Sequence, residues 1–346
     1  MNMKQRILVT GGTGYIGSHT VVELQAAGYP VVIVDNLANS NTGVLDGIEA
    51  ISGIRPDFVE VDCTDMEAMR KLFNDFPDIK GIINFAADKA VGESVKKPIK
   101  YYRNNLNTLM NLLDLMQEHE VKGVVFSSSC TVYGQPDENP VTEGTPIKKA
   151  TSPYGNTKQI CEEIITDVVN SGARFNAILL RYFNPIGAHP SALIGELPNG
   201  VPNCLVPFMT QTAIGAREIL NVFGNDYNTR DGYCIRDFID VVDLAKAHVT
   251  AVERMLEDKI DSQIEIFNLG TGNGVSVMEL IDTFECATGV KVPYRIAPRR
   301  SGDVEQVWSD PSKANDILGW KATTPLADTL RNAWNWQLKL RENGIM

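Results

Sequence analysis

The chain of 346 residues is long enough to bury a large core, and its composition, 43% hydrophobic and 22% charged without a low-complexity tract, is that of a folded globular protein. A formal net charge of −11 argues against a general nucleic-acid or anionic-membrane binder, which needs an excess of Lys and Arg on one face. Any anionic ligand has to be met by a local Arg cluster.

The first candidate strand is Arg6–Thr10. The residues before it lack the apolar run and small-residue cleavage site of a signal peptide, and no apolar stretch reaches the roughly 18 residues that span a bilayer. Cys63, Cys130, Cys161, Cys204, Cys234 and Cys286 are scattered, with no Cys-x-x-Cys or Cys/His grouping, so reduced thiols and no metal site are expected. Together these features predict a cytoplasmic protein.

After the first strand comes Gly11-Gly12-Thr13-Gly14-Tyr15-Ile16-Gly17, which contains the spacing Gly-x-Gly-x-x-Gly between an apolar strand and an amphipathic helix. Small residues let the backbone approach a pyrophosphate, and the helix N-terminus offers free N–H groups and a positive dipole end. The second strand, Val31–Asp35, ends in Asp35, 18 residues beyond Gly17, where a carboxylate can accept hydrogen bonds from the ribose hydroxyls of an adenosine. This arrangement favours NAD over NADP.

Further strands are predicted at Asp57–Val61, Gly81–Phe85, Val124–Ser127 and Asn176–Arg181, alternating with helix-length segments as in βαβ units around a buried parallel sheet. In the helix Tyr154–Asn170, Cys161, Ile164, Ile165, Val168 and Val169 form an apolar stripe, with Glu162, Glu163 and Asp167 expected to face elsewhere. Tyr154 and Lys158 stand one turn apart at its start and share a face. Taken alone, Tyr-x-x-x-Lys is a common packing pair. Following a dinucleotide turn and a strand-end Asp, it points to redox chemistry. A free phenol has a pKa of about 10, and lowering it by about 3 units needs roughly 4 kcal/mol of preferential phenolate stabilisation. A neighbouring cation supplies part of that.

After Asn184 the chain turns to segments rich in Pro, Gly and Asn, read as loops opening a smaller lobe, while Ile264–Leu269 reads as a buried strand returning to the sheet. The expected fold is α/β: a Rossmann-type doubly wound parallel sheet with a smaller C-terminal lobe. Residues 1–183 would form the dinucleotide domain, joined again by about 237–270, and 184–346 a discontinuous second lobe. His19, His119, His189 and His248 are too dispersed for a metal or a relay, and His119 is expected to be solvated at a charged helix end.

The sequence resembles the extended short-chain dehydrogenase/reductase superfamily, and within it the UDP-glucose (UDP-galactose) 4-epimerases, over nearly its whole length. The resemblance rests on Thr10 to His19, Val34-Asp35-Asn36-Leu37, Lys89-Ala90-Val91-Gly92-Glu93-Ser94, Ser127-Ser128-Ser129-Cys130-Thr131-Val132-Tyr133-Gly134, Arg181 to Pro190, Phe223-Gly224-Asn225-Asp226-Tyr227 and Arg299-Arg300-Ser301-Gly302-Asp303. It implies that Tyr154 is the catalytic acid/base, Lys158 its activator and a nicotinamide-ribose ligand, and Ser129 the hydroxyl bridging to the sugar O4. The implied reaction oxidises C4 with NAD, turns the 4-keto sugar over and returns hydride to its other face, with no net redox change. The implied cofactor clamp comprises Gly11, Gly14, Tyr15, Ile16, Gly17, Asp35, Asn36, Asn39, Ser40, Asp62, Lys89, Asn105, Tyr154, Lys158, Tyr182 and Phe183. The UDP-hexose substrate would meet Ser129, Tyr154, Asn184, Asn203, Cys204, Leu205, Arg236, Arg300, Asp303 and Val307. Arg suits bidentate phosphate contact, whereas surface ion pairs of Arg236 with Asp237 and of Arg300 with Asp303 are the alternative. A homodimer through the helices bearing Asn104–Met116 and Tyr154–Asn170 is implied as well.

Three positions depart from the family pattern. Enzymes confined to glucose and galactose carry a bulky Tyr where this chain has Val307, and the smaller side chain predicts acceptance of UDP-N-acetylglucosamine and its galactosamine epimer. Cys204 replaces a common Asn, and Ala87-Asp88 stands where Gly-Leu is usual before Lys89. Nucleotide-sugar 4,6-dehydratases place an Asp-Glu pair just after the Ser/Thr position, where this chain has Cys130-Thr131. A decarboxylase or uronate epimerase, which would need a C6-carboxylate site, and a non-catalytic dinucleotide sensor are the remaining readings.

Overall fold

The computed structural model describes residues 4–300 and 303–345, so Met1, Asn2 and Met3 of the N-terminal segment, Ser301 and Gly302 of the Arg-x-Gly-Asp block, and Met346 lie outside the described residues. Up to residue 182 strands and helices alternate: β1 (Arg6–Thr10), α1 (Tyr15–Ala26), β2 (Val31–Asp35), α2 (Gly43–Ser52), β3 (Asp57–Glu60), α3 (Met66–Asp75), β4 (Ile79–Asn84), α4 (Val91–Lys96), α5 (Pro98–Glu118), β5 (Gly123–Ser129), α6 (Pro153–Asn170) and β6 (Asn176–Tyr182). Then follow β7 (Asn184–Ile186), α7 (Leu205–Ala213), β8 (Leu220–Phe223), β9 (Ile235–Arg236), β10 (Phe238–Asp240), α8 (Val241–Leu256), β11 (Ile264–Leu269), β12 (Val275–Ser276), α9 (Val277–Thr288), β13 (Tyr294–Ala297), β14 (Gln306–Val307) and α10 (Leu326–Glu342).

Seven strands form one parallel sheet in the order β11-β6-β5-β4-β1-β2-β3. Its residues are apolar almost without interruption because both faces are covered. In β1, Ile7 and Val9 enter one core with α1 and α8, while Leu8 enters another with α3, α5 and α6. Successive strand side chains point to opposite faces, so a single run feeds two cores. The strand order reverses between β1 and β4, and such a switch point opens a crevice at the carboxyl ends of the strands. The later elements add a third apolar cluster, in which Met209 of α7, Val222 of β8, Phe238 of β10, Phe284 of α9 and Leu330 of α10 meet.

Several expectations shift by a few residues. β5 runs on to Ser129, because Ser127, Ser128 and Ser129 are buried although polar. The segment after Asn184, read as loop, begins with β7, which pairs with β10. His119, expected to be solvated, is half-buried with its ring 5.2 Å from that of Phe73. Glu162, assigned to the outer face of its helix, is buried instead. It accepts hydrogen bonds from Arg181 Nε at 2.9 Å and from Ser128, and both members of the Glu162–Arg181 ion pair are nearly excluded from solvent. Arg181 also donates to Tyr133, whose hydroxyl donates to Asn268 at 2.6 Å, so the network reaches β11. Among the described residues no helix is long and apolar enough to cross a membrane.

Removing one partner from a buried ion pair leaves an uncompensated charge in a medium that solvates it poorly. Arg181→Met should therefore destabilise the protein by about 3–5 kcal/mol, measured by urea unfolding. A loss of less than about 1 kcal/mol, the level of an exposed pair, would show that Glu162 finds another partner or water.

Candidate active site

The turn after β1 requires glycine for steric reasons. Gly11 has φ +68, and a Cβ there would lie 2.9 Å from the backbone nitrogen of Ala86; a Cβ on Gly17 would lie 2.3 Å from the Gly11 carbonyl oxygen. Helix α1 starts so close to β1 that no side chain fits between them, and its first N–H groups face the crevice. The loops after β2 and β3 meet beside this turn. The Asp35 carboxylate accepts from Leu37 N at 2.9 Å, Ser40 Oγ at 3.2 Å and Thr13 N at 3.3 Å, and Thr13 and Ser40 bond through their hydroxyls at 2.7 Å. Asn36 donates to Asp62 at 3.0 Å, and this bond with those from Thr64 holds the Asp62 carboxyl below its ordinary range against the opposing effect of burial. Asn39 is exposed on the same loop. A backbone cradle ending in a carboxylate fits the pyrophosphate and ribose of a dinucleotide.

On the opposite side, Asn105 of α5 is buried. It accepts from Asp88 N at 2.8 Å, and its amide donates to Asp88 O and to Thr157 Oγ1, so the Ala87-Asp88-Lys89 loop is tied to both α5 and α6. Tyr15 bonds through its hydroxyl to Gly187 O at 2.8 Å, linking the glycine turn to the segment after β7.

Helix α6 begins where it does because Ser152 caps it, accepting from Gly155 N at 3.1 Å, and Pro153 occupies the first turn. This start puts Tyr154 and Lys158 at the carboxyl end of β5. Lys158 Nζ donates to Ser127 O at 2.6 Å and lies 4.8 Å from the Phe126 ring centre; burial pushes its pKa down to about 8. Ser129 caps the short turn Cys130–Tyr133 and accepts from Thr131 N. Burial, reinforced by nearby Tyr182, raises the Tyr154 phenol above its ordinary value, and a hydrogen bond with Ser129 opposes that rise. Tyr182 bonds Ser127 through its hydroxyl, and burial pushes its pKa up to about 12. Phe183 is buried beside it in sequence. Tyr154, Lys158, Ser129 and Tyr182 thus cluster around the end of one strand.

The residues assigned to the substrate fall mainly in the later elements. Asn184 Oδ1 is buried without a protein partner. Asn203 and Cys204 are exposed just before α7, which opens with Leu205. Arg236 and Val307 are register partners in the β9–β14 pairing, and Arg236 Nη1 donates to Ile235 O at 2.8 Å. No Arg236–Asp237 ion pair forms. Asp237 is fully buried and accepts from Thr271 and Ser309. Arg300 does pair with Asp303, Nη2 to Oδ1 at 2.7 Å, and lies 5.6 Å from the Phe223 ring centre. Val307 packs with Val132, Tyr133, Val141 and Phe183, and Cys130 borders the same cluster.

Sequence reasoning missed that Glu162, Arg181 and Asp237 are buried beside this site. One signal was available: Arg181 interrupts an otherwise apolar strand, and a charge there demands a buried partner.

A family profile described as GDP-mannose 4,6 dehydratase matches residues 8–333. The UDP-glucose 4-epimerase of Dictyostelium discoideum is 52% identical over 339 residues, covering 98% of this chain and 97% of the relative. Among solved structures, the UDP-glucose 4-epimerase from Stenotrophomonas maltophila with bound NAD and formylated UDP-arabinopyranose superposes with a TM-score of 0.94 at 46% identity, covering 98% of this chain and 100% of the other. That from Bifidobacterium longum in complex with NAD+ and UDP gives a TM-score of 0.92 at 46% identity, covering 96% and 98%. With a doubly wound sheet, a glycine turn that excludes side chains and a Tyr/Lys/Ser cluster matched over the full length, the chain belongs to the UDP-glucose 4-epimerase family.

Proposed function

We propose that the protein interconverts UDP-glucose and UDP-galactose at C4 with a tightly held NAD. The carrying observation is the convergence of Tyr154, Lys158 and Ser129 at the end of β5, across from the glycine turn. NAD, when bound, supplies a hydride acceptor and then a hydride donor for C4. Gly11, Gly14, Tyr15, Ile16 and Gly17 would cradle it, with Asp35, Asn36, Asn39, Ser40 and Asp62 on its adenosine side and Lys89, Asn105, Lys158, Tyr182 and Phe183 on the other. Residues 1–183 and 237–270 would serve the cofactor and the remainder of 184–346 the UDP-sugar. Within that remainder Arg236 and Arg300 would meet the diphosphate, with Asn184, Asn203, Cys204, Leu205, Asp303 and Val307 along the nucleotide and sugar.

Tyr154 holds the O4 proton between the two half-reactions. A buried phenol is a weak base, so the site must supply positive charge, and Lys158 is the cation on the same helix face. Burial lowers its pKa to about 8, so its ammonium is still largely charged at neutral pH and can stabilise a phenolate beside it. Ser129 steadies developing charge on O4.

Half-buried Ile164 and Val168 on α6 and exposed Met110 on α5 support a homodimer through these helices. Six free cysteines support a reducing, cytoplasmic setting.

Three outcomes follow. Purified protein without added NAD should convert UDP-galactose to UDP-glucose, resolved by chromatography, and Tyr154→Phe should lower kcat by at least about 100-fold while still binding UDP; no turnover even with NAD supplied would overturn the reading. In Lys158→Met the phenolate loses its cation and the pKa of Tyr154 rises, so the acid limb of the kcat–pH profile should move to higher pH by about 1 unit or more. An unmoved limb would leave Lys158 a purely structural residue. Val307 borders Cys130, the residue after Ser129, and its small side chain supports acceptance of N-acetylated UDP-hexoses. Val307→Tyr should abolish their turnover and spare the hexoses, and a wild type inactive on N-acetyl sugars would end that assignment.

A further inference from the structure

Across the crevice, the loop after β4 and the segment before α7 are joined by one ion pair. Lys89 Nζ lies 3.7 Å from Glu196 Oε1 and 6.0 Å from the Tyr15 ring centre. Glu196 comes from the second lobe, and its main chain is firmly held. Its carbonyl accepts from Trp336 Nε1 at 3.0 Å, and the preceding residue, Gly195, pairs with Ala188 against the Trp336 ring, where a Cβ would lie 2.5 Å away. The Glu196 side chain is only 13% exposed, whereas that of Lys89 is 49% exposed. A carboxylate so far out of water is unfavourable unless a cation compensates it. Burial tends to discharge Lys89, and Glu196 outweighs that tendency, keeping the ammonium charged. At 3.7 Å the pair is an ion pair and not a tight hydrogen bond, so the three N–H donors of the ammonium remain available to a second acceptor.

We propose that Glu196 is a positioning residue for cofactor retention: from the substrate lobe it holds the Lys89 ammonium over the glycine turn and so ties the two lobes together across the bound dinucleotide. The assignment rests on the reading of Lys89 as part of the cofactor clamp. It gives physical content to the requirement that the cofactor stay in place through both half-reactions, because release requires either breaking this tie or moving Lys89 aside. Without Glu196 the flexible four-carbon stem of Lys89 would sample solvent, and the entropy lost on recruiting it would weaken the clamp.

The test is the rate at which NAD leaves the holoenzyme, followed by chasing the purified protein with excess NADH and reading bound-nucleotide fluorescence. Glu196→Gln, which preserves shape and removes the charge, should speed release roughly five- to tenfold. Its kcat for UDP-galactose at saturating NAD should remain near that of wild type. Lys89→Gln should speed release at least as much, and the double variant should release no faster than Lys89→Gln alone, since the two residues act through one contact. Far-UV circular dichroism and the melting temperature serve as fold controls. Release from Glu196→Gln at the wild-type rate, or multiplicative effects in the double variant, would overturn the assignment while leaving the epimerase reading intact. A wild-type protein that carries no NAD would overturn both.

Discussion

The placement of α6 on the sheet is the constraint from which the site follows. This helix buries two charges one turn apart, Lys158 at 4% and Glu162 at 6% exposure. Apolar stripes tolerate some sliding because Leu, Ile and Val contacts are non-directional. Buried charges do not, since each must find its partner or stay in water at a cost of several kcal/mol. Lys158 reaches Ser127 O, while Glu162 receives Arg181 from β6 and Ser128 from β5. Together these bonds define the height and rotation of the helix against the strand end. Tyr154, one turn before Lys158, is thereby set beside Ser129, the last residue of that strand. Tyr154, Lys158 and Glu162, spaced four residues apart on α6, are thus parts of one arrangement.

A second buried carboxylate does the same service for the short strands that carry Arg236 and Val307. Asp237 accepts from Thr271 N at 2.8 Å, Thr271 Oγ1 at 2.7 Å, Ser309 Oγ at 2.6 Å and Ser309 N at 3.1 Å. It sits between β9 and β10, so it fastens the strand carrying Arg236 to the turn after β11 and to the segment after β14. Arg236 and Val307 are therefore fixed relative to the edge of the main sheet, although they lie on strands of two residues that could not persist alone. At both places the protein fixes neighbouring side chains by saturating a buried acid with donors from several chain segments. A reaction whose intermediate must not escape benefits from such rigidity, because the same contacts orient both half-reactions.

Much of the sheet was legible because its strands are local apolar runs bounded by polar or glycine residues. β1 and β2 fall where the sequence places them, β1 closing just before the glycine turn and β2 closing on Asp35, whose carboxylate accepts from Thr13 N of that turn. β5 exceeded its expected end at Ser127 because Ser128 and Ser129 carry no hydrophobic signal, yet both are buried. The same reason hides β7, β9, β10, β12 and β14, whose existence depends on pairing and not on composition. The glycine turn was legible because its geometry forbids any other residue. Glu162 was misread by rule, as an acid on a helix was assigned to solvent, when Arg181 within Ala-Ile-Leu-Leu-Arg-Tyr was already a charge in need of a buried counterpart. Glu196 carried no signal, since only the fold brings it to Lys89.

The family profile named for a dehydratase and the closer kinship with epimerases pose a question of chemistry that one short turn addresses. Both reactions can begin with oxidation at C4 on the same fold, so the fold cannot choose between them. Elimination of water from the resulting ketone requires an acid to protonate the departing hydroxyl and a base to take the neighbouring proton. The positions directly after Ser129 are Cys130, whose thiol is pushed up to about 12 by burial, and Thr131, whose hydroxyl is buried without a protein partner. Neither group releases or takes a proton readily at neutral pH, as a carboxyl pair can. With no acid–base pair at those positions, a ketone held here is left with the return of hydride as its accessible exit. The outcome is set by which face of the sugar is presented when that return occurs.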